Sequence, residues 1–245
     1  EEVELSDAGE LMELLDSNAA IKVVLQLNSL DAGERSNSPA WPTRLAASAT
    51  SLGSAFVFQG TSSNPDGLRK AFAAAAAYQG PALLSVYTSN GEVNSTLPTY
   101  LDAASALESR ALPTFVFNPS NGTDLAQRMS LEGNPRDDRT WVSDIFSFMN
   151  ESAEESATEL TYSHADFLLA DVRWQEDFWV LDHGMSDEAM IPLDEFLALE
   201  TERRRNCVPY IIAVDDKDEI RKVVITYRVL GQVEAVAKRW RGLQE

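Results

Sequence analysis

A short apolar run near the N-terminus, followed directly by a polar loop, most limits what this chain can fold into. The run covers residues 21–27, IKVVLQL, and lies between Asn18 and the turn-forming segment Asp31-Ala32-Gly33. An apolar run of this length between turn signals predicts a buried strand of a parallel sheet. Ligands bind at the carboxyl ends of strands in open α/β sheets. We therefore expect a site in this region to lie within residues 28–35, NSLDAGER.

Strands and helices alternate along the residues that follow. Apolar runs predict further strands at 55–58, 82–87 and 113–117, with helices between them. One of these helices starts at Asn64-Pro65-Asp66, which supplies a capping residue, a proline at the first helical position and an acidic residue in the first turn. This alternation predicts an α/β domain with a mostly parallel sheet.

The pattern changes after Trp141. Residues 149–161 are acidic and poor in apolar side chains, which predicts a linker. Aromatic helical segments follow, then a β-hairpin formed by residues 208–214 and 221–227, and a final helix with apolar residues at helical spacing. We therefore predict an α/β domain over residues 1–149 and a smaller α+β domain over residues 150–245.

The charge of the chain narrows the range of partners. The net charge of −19 argues against nucleic acids and anionic membranes, because both bind positively charged surfaces. Within residues 144–200 the only basic residue is Arg173. Two interpretations fit this acidic stretch: an ordinary solvated surface, or a docking face for a basic partner.

The location follows from what the sequence lacks. No apolar window is long enough to span a bilayer, and the acidic N-terminus does not have the pattern of a signal peptide. The single cysteine, Cys207, excludes an intrachain disulfide, a cysteine-type zinc site and an iron–sulfur cluster within this chain. We predict a cytoplasmic protein that does not insert into membranes.

Candidate chemistry is sparse, and we assign no catalytic residue. His164 and His183 have no second histidine or cysteine at metal-ligand spacing, so surface or capping roles are expected for them. The remaining candidate is Asn28, at the end of the first strand. Its side-chain amide oxygen and the backbone carbonyl of Leu30 are the types of ligand that Mg²⁺ accepts.

Taken in order, these segments resemble the thiamine-diphosphate-binding region of pyruvate:ferredoxin (2-oxoacid:acceptor) oxidoreductases, over most of residues 1–145. Residues 76–87, AAYQGPALLSVY, are similar to that family's AxxYxGPSLIxAY block. The residues after Phe167 resemble the C-terminal extension that some members carry. Further matching segments are residues 11–18 with the strand at Ile21, then 106–113, 118–119, 131–135, 191–199 and 208–211.

The resemblance implies a fold of the thiamine-diphosphate-binding type and oxidative decarboxylation of a 2-oxoacid such as pyruvate. It implies that the reaction uses thiamine diphosphate, Mg²⁺ and CoA. It also implies that Asn28 and the Leu30 carbonyl bind the cofactor and its metal ion. It also implies an oligomeric assembly, in which other domains or subunits carry the iron–sulfur clusters that accept the electrons.

The sequence departs from this family at the cofactor motifs. Leu27-Asn28 replaces an Asp-Thr pair, residues 31–36, DAGERS, replace a Gly-Gly-containing loop, and residues 88–91, TSNG, lack the family's cysteine. Asp31 and Glu34 would repel a pyrophosphate unless Arg35 compensates. Two hypotheses follow: an altered but retained cofactor site, or a pseudoenzyme that serves assembly or partner docking through residues 144–200.

Overall fold

The chain is mixed α/β and forms two compact units, Glu1–Asp137 and Asp138–Glu245. The division lies before residues 138–149, which the sequence assigned to the first domain. Within this stretch, Val142–Met149 pair with a later strand of the second unit. Among the described helices, none combines the length and apolarity needed to cross a bilayer. The computed structural model describes residues 7–17, 19–30, 41–89, 95–136, 138–149, 155–181, 189–215 and 219–245.

The first unit is built on a five-stranded sheet in the order β1-β3-β2-β4-β5. The strands β1, β3 and β2 are parallel, whereas β4 is antiparallel to β2 and β5 is antiparallel to β4. The elements in chain order are α1 (Asp7–Asp16), β1 (Lys22–Leu27), α2 (Trp41–Thr50), β2 (Phe56–Thr61), α3 (Pro65–Ala77), β3 (Ala82–Tyr87), α4 (Thr99–Glu108), β4 (Phe115–Phe117), α5 (Leu125–Arg128) and β5 (Met129–Ser130).

The predicted strands and helices of this unit are present, but the prediction of a mostly parallel sheet is wrong for its β4 and β5 side. Since β4 runs antiparallel to β2, it begins at the end of the sheet where β3 finishes. The helix α4 and its connections therefore do not carry the chain back along the sheet, as a parallel crossover would. A strand–helix–strand pattern in the sequence does not distinguish these two paths.

The two faces of this sheet carry different helices. On one face, Leu15 of α1 and Leu45 of α2 pack against Val57, Leu83 and residues of β4. The helix α4 lies on the same face. Tyr87 is four residues after Leu83 in β3, so the two side chains point to the same side of the sheet. The Tyr87 hydroxyl donates a hydrogen bond to the Asp102 carboxylate of α4 at 2.5 Å. The opposite face is covered by α3.

The second unit contains a four-stranded sheet in the order β8-β11-β10-β9. The predicted hairpin is confirmed, with β10 and β11 antiparallel and Tyr210 opposite Val224. Apolar residues of α6, α7 and α9 pack against one face of this sheet. The elements in chain order are β6 (Val142–Met149), β7 (Glu155–Tyr162), α6 (His164–Leu169), β8 (Phe178–Val180), β9 (Met190–Pro192), α7 (Leu193–Ala198), α8 (Thr201–Arg204), β10 (Val208–Val214), β11 (Ile220–Ile225) and α9 (Tyr227–Gln244).

The strands β6 and β7 form a separate antiparallel pair, with Val142 opposite Tyr162. The prediction of a linker at residues 149–161 is therefore wrong for the part that belongs to β7. Thr158, Thr161 and Tyr162 are residue types that favour strands, and this preference outweighs the acidity of the segment. Charged residues at exposed positions of a strand remain in water and do not prevent pairing.

Candidate functional site

The predicted Mg²⁺ ligand Asn28 lies at the carboxyl end of β1, next to the carboxyl end of β3. Leu27 is opposite Tyr87 in the parallel pairing of these strands, which brings Asn28 close to Thr88. The Asn28 Oδ1 atom accepts hydrogen bonds from Gln26 Nε2 at 3.2 Å and from Thr88 Oγ1 at 3.3 Å. A small, exposed cluster of amide and hydroxyl groups therefore marks this end of the sheet.

These described groups do not fit a typical Mg²⁺ site. The Asn28 amide oxygen already accepts two hydrogen bonds, which is the full capacity of its lone pairs. Its neighbours are neutral, whereas protein-bound Mg²⁺ usually has at least one carboxylate ligand. Within the described residues, no group of three or more His, Cys, Asp or Glu side chains is placed to hold a metal ion. The loop residues 31–36 lie outside the described part of the chain, so metal binding by Asn28 and Leu30 stays a prediction.

An apolar groove in the first unit lies between α3 and the β2–β4–β5 side of the sheet. Its volume is about 350 Å³, and its walls include Phe58, Leu68 and Val116. At its rim, Lys70 Nζ on α3 lies 3.9 Å from Glu132 Oε1. Asn28 does not line this groove. Sequence reasoning did not find it, because it arises from the antiparallel placement of β4 beside β2.

A buried arginine fixes the segment that borders this groove. Arg110, two residues after the end of α4, is fully buried and has a φ of 59°. Its Nη2 atom donates hydrogen bonds to the carbonyl oxygens of Pro135 and Arg136, at 2.6 and 2.7 Å. Asn134, from the same segment, accepts a hydrogen bond from the Thr114 backbone N through Oδ1 and donates one to the Thr114 carbonyl through Nδ2. These contacts hold residues 131–136 against the start of β4.

The second unit contains two adjoining cavities of about 230 and 270 Å³, which we call the acid-lined groove. Trp141, Glu159, Thr161 and Asp194 line both cavities. Further walls come from the first turn of α7, which carries Glu195, and from Tyr210 and its neighbours on β10. The groove thus combines residues from four places in the sequence.

Carboxylates outnumber cations in this groove. Glu159 Oε1 accepts a hydrogen bond from Ser143 Oγ at 2.6 Å and lies 3.7 Å from Arg139 Nη1. Asp194 and Glu195 are exposed, and their carboxylates form no ion pair or hydrogen bond within the described part of the chain. The Arg139 guanidinium is thus the one cation facing three carboxylates among the described lining residues. An arrangement of this kind attracts positively charged groups.

Two aromatic side chains line the same groove with incompletely satisfied polar atoms. Trp141 and Tyr210 are each 8% exposed. Neither the Trp141 indole N–H nor the Tyr210 hydroxyl forms a hydrogen bond in the regions that the structure describes. Since neither polar atom is fully buried, each can bond to water or to a polar atom of a ligand. The sequence had indicated the acidic stretch, but nothing in it indicated these two aromatic residues.

The structure buries His164, and His183 lies outside the described residues. His164 begins α6, stacks on Phe167 with ring centroids 5.7 Å apart, and has a buried Nδ1 atom without a hydrogen-bond partner. Burial, and secondarily the charge of Arg239, lower its pKa to about 3. Its imidazole is therefore neutral at pH 7.

Asp166, two residues later, shows the opposite shift. Its Oδ2 atom accepts hydrogen bonds from the Ser163 backbone N and Oγ, both at 2.7 Å, which closes the capping box of α6. Burial raises its pKa to about 6, although these hydrogen bonds lower it in part.

We expect replacement of His164 by asparagine to change how stability depends on pH. Between pH 6.5 and about 3 the unfolded histidine binds a proton that the folded one does not, so His164 lowers the free energy of unfolding as the pH falls. Asp166 acts in the opposite direction between about pH 6 and 3.8. At about 1.4 kcal/mol per pH unit, the free energy of unfolding of His164→Asn should rise by about 2 kcal/mol relative to that of the wild type on going from pH 7.5 to pH 5. Urea unfolding followed by tryptophan emission at both pH values measures this difference.

The matched variant is Asp166→Asn, for which the difference should have the opposite sign, with a size of about 1 kcal/mol. Parallel pH dependences for all three proteins would contradict the assigned roles of both side chains.

Comparison of the sequence with models of known protein families gives no match, and comparison with curated proteins gives no significant one.

Proposed function

We propose that this chain is a docking module of a larger assembly and that it binds a positively charged partner through the acidic surface of its second unit. The observation that carries this proposal is the absence of compensating charge within residues 144–200. That stretch has 15 acidic residues, and its one basic residue, Arg173, is already paired with Asp171 at 2.5 Å. The stretch itself contains no other basic residue that could pair with its remaining acidic residues.

Contacts with the rest of the unit neutralise few of these charges. Arg228 Nη1 lies 2.7 Å from Asp177 Oδ2, and Arg139 lies near Glu159. The carboxylates of Glu176 and Glu200, like those of Asp194 and Glu195 in the acid-lined groove, form no ion pair among the described residues. Surfaces of one charge sign speed up association with oppositely charged partners and disfavour partners of the same sign.

The resemblance to 2-oxoacid:acceptor oxidoreductases gives the proposed context for this docking. The partner would be another domain or subunit of an oxidoreductase-like assembly in the cytoplasm, and this chain would be its non-catalytic, pseudoenzyme component. The departures at Asn28 and at residues 31–36 and 88–91 support this version over one in which the chain itself performs catalysis.

Salt dependence tests the docking proposal. The subunit that co-purifies with the native chain should bind at least about tenfold more weakly in 500 mM than in 50 mM NaCl, because salt screens exposed charges. The double variant Glu176→Gln, Glu200→Gln should also weaken binding. Its matched control is Glu10→Gln, Glu13→Gln, which removes the same charge from exposed positions of α1. Affinity that is insensitive to salt would refute electrostatic docking.

A retained thiamine diphosphate site is the second candidate function. One observation favours it: Asn28 and Thr88 lie together at the carboxyl ends of adjacent parallel strands, where ligands bind in open α/β sheets. Under this second candidate, the first unit would have a fold of the thiamine-diphosphate-binding type.

Calorimetric titration separates the two candidates. Retention of the site predicts micromolar binding of thiamine diphosphate with Mg²⁺, to the chain or to its native assembly. Asn28→Ala should abolish this binding, and the exposed control Asn121→Ala should leave it unchanged. No heat from either preparation would exclude the cofactor site and would leave the docking proposal intact.

A further inference from the structure

We infer that the acid-lined groove of the second unit binds a cationic side chain, lysine or arginine, from an extended segment of the partner. This inference rests on the proposed docking function and names the chemical group that the groove recognises. The carboxylates, the aromatic walls and the size of the groove each contribute an argument.

The carboxylates supply the attraction for a cation. Glu159 and Asp194 line both cavities, and Glu195 lines one of them next to Asp194. The Arg139 guanidinium is directed to Ser143 Oγ at 3.2 Å and to Glu159 at 3.7 Å, so it compensates the Glu159 side of the groove. Asp194 and Glu195 have no such partner among the described residues, and a lysine ammonium or an arginine guanidinium would supply one.

The aromatic walls supply an independent indication of a ligand. The rings of Trp141 and Tyr210 are more than nine-tenths buried, and they line a groove rather than a closed core. The Trp141 N–H and the Tyr210 hydroxyl have no hydrogen-bond partner among the described residues, and each keeps some surface open to the groove. A backbone carbonyl of a bound peptide would accept the Trp141 N–H, and the peptide backbone would also satisfy the Tyr210 hydroxyl. An extended segment therefore fits better than a free amine.

The size and the apolar parts of the groove fit the stem of such a side chain. Its two cavities, of about 230 and 270 Å³, together fall within the roughly 300–1,000 Å³ of small-ligand sites. Pro192 and Leu193 add apolar surface beside Trp141. Lysine and arginine place their methylene groups along such surfaces while the charged end reaches polar groups.

The test uses the full chain and short synthetic peptides. The probe is acetyl-Gly-Lys-Ala-amide, and its matched control contains norleucine, which keeps the stem and lacks the charge. The readout is the indole N–H resonance of Trp141, which Trp141→Phe assigns. We expect the lysine peptide and its arginine counterpart to shift this resonance in a saturable way and the norleucine peptide to leave it unchanged.

Matched charge variants locate the binding. Asp194→Asn, Glu195→Gln should weaken binding of the lysine peptide at least tenfold, whereas Glu176→Gln, Glu200→Gln, which removes equal charge outside the groove lining, should weaken it less than twofold. Tyr210→Phe removes one hydroxyl and should weaken binding about threefold.

Each contrary result has a distinct meaning. Equal weakening by the two double variants, or equal binding of the norleucine peptide, would overturn the groove inference and leave the broader docking proposal standing. The groove inference would also fail, and the docking proposal would stand, if the wild-type chain bound a basic partner in a salt-dependent way but did not bind the lysine peptide. Failure to bind any basic partner at low salt would overturn both.

Discussion

Replacement of Trp240 by alanine is expected to destabilise the second unit by about 3–5 kcal/mol, the cost typical of removing a large buried aromatic side chain. Trp240 is 1% exposed and lies near the end of α9. Its indole N–H donates a hydrogen bond to the Arg139 carbonyl at 3.2 Å, which ties α9 to the residues that precede β6. Alanine would leave a cavity and remove the donor for that carbonyl. Small domains are stable by only about 5–15 kcal/mol, so this loss should be visible as early unfolding in urea.

Trp179 provides a control of the same residue type. It lies on β8 and is 54% exposed, so Trp179→Ala should cost less than about 1 kcal/mol. Four of the five tryptophans lie in the second unit, so tryptophan emission follows mainly its unfolding. Equal unfolding midpoints for the two variants would contradict the assigned role of Trp240.

Replacement of Arg110 by alanine is expected to be the most damaging polar change in the first unit, with a loss of about 3 kcal/mol. A hydrogen bond from a charged donor contributes about 1.5–3 kcal/mol, and Arg110 donates to two backbone carbonyls. Alanine would leave the carbonyls of Pro135 and Arg136 without this donor and would also leave a void at a fully buried position.

Hydrogen–deuterium exchange measures this effect where it arises. Backbone amides of residues 131–136 should lose protection in Arg110→Ala, because the side chain that holds this segment is gone. The control is Arg128→Ala: Arg128 Nε also donates to a backbone carbonyl, that of Gly122 at 2.8 Å, but on the exposed surface. Unchanged protection in Arg110→Ala would show that other contacts hold the segment.

Local patterns in the sequence were sufficient to place most regular elements. The cap of α3 is an example: Asn64 Oδ1 accepts a hydrogen bond from the Gly67 backbone N at 2.9 Å, as the Asn-Pro-Asp start predicted. The hairpin of β10 and β11 and the helix α9 followed from apolar spacing in the same way. In each case the deciding residues are close together in the chain.

Features that depend on distant residues were not predictable. The direction of β4 is set by its pairing with β2, and β7 is held by its pairing with β6. The acid-lined groove requires Trp141, Glu159, Asp194 and Tyr210 to converge from four separate segments. The sequence showed where acidic residues are abundant, but their meeting point depends on the packing of the second unit.

The strand order of the first unit has a consequence for how the chain folds during synthesis. The strand β3 lies between β1 and β2, so Ala82 is opposite Lys22 on one side and opposite Phe56 on the other. Neither earlier strand can pair in the native way until β3 has left the ribosome. The apolar segment 56–58 must therefore remain unpaired while the intervening residues are made, and native pairing between such distant segments forms slowly. We expect nascent chains that end before residue 82 to be the ones most dependent on chaperones, because their strands still lack a partner.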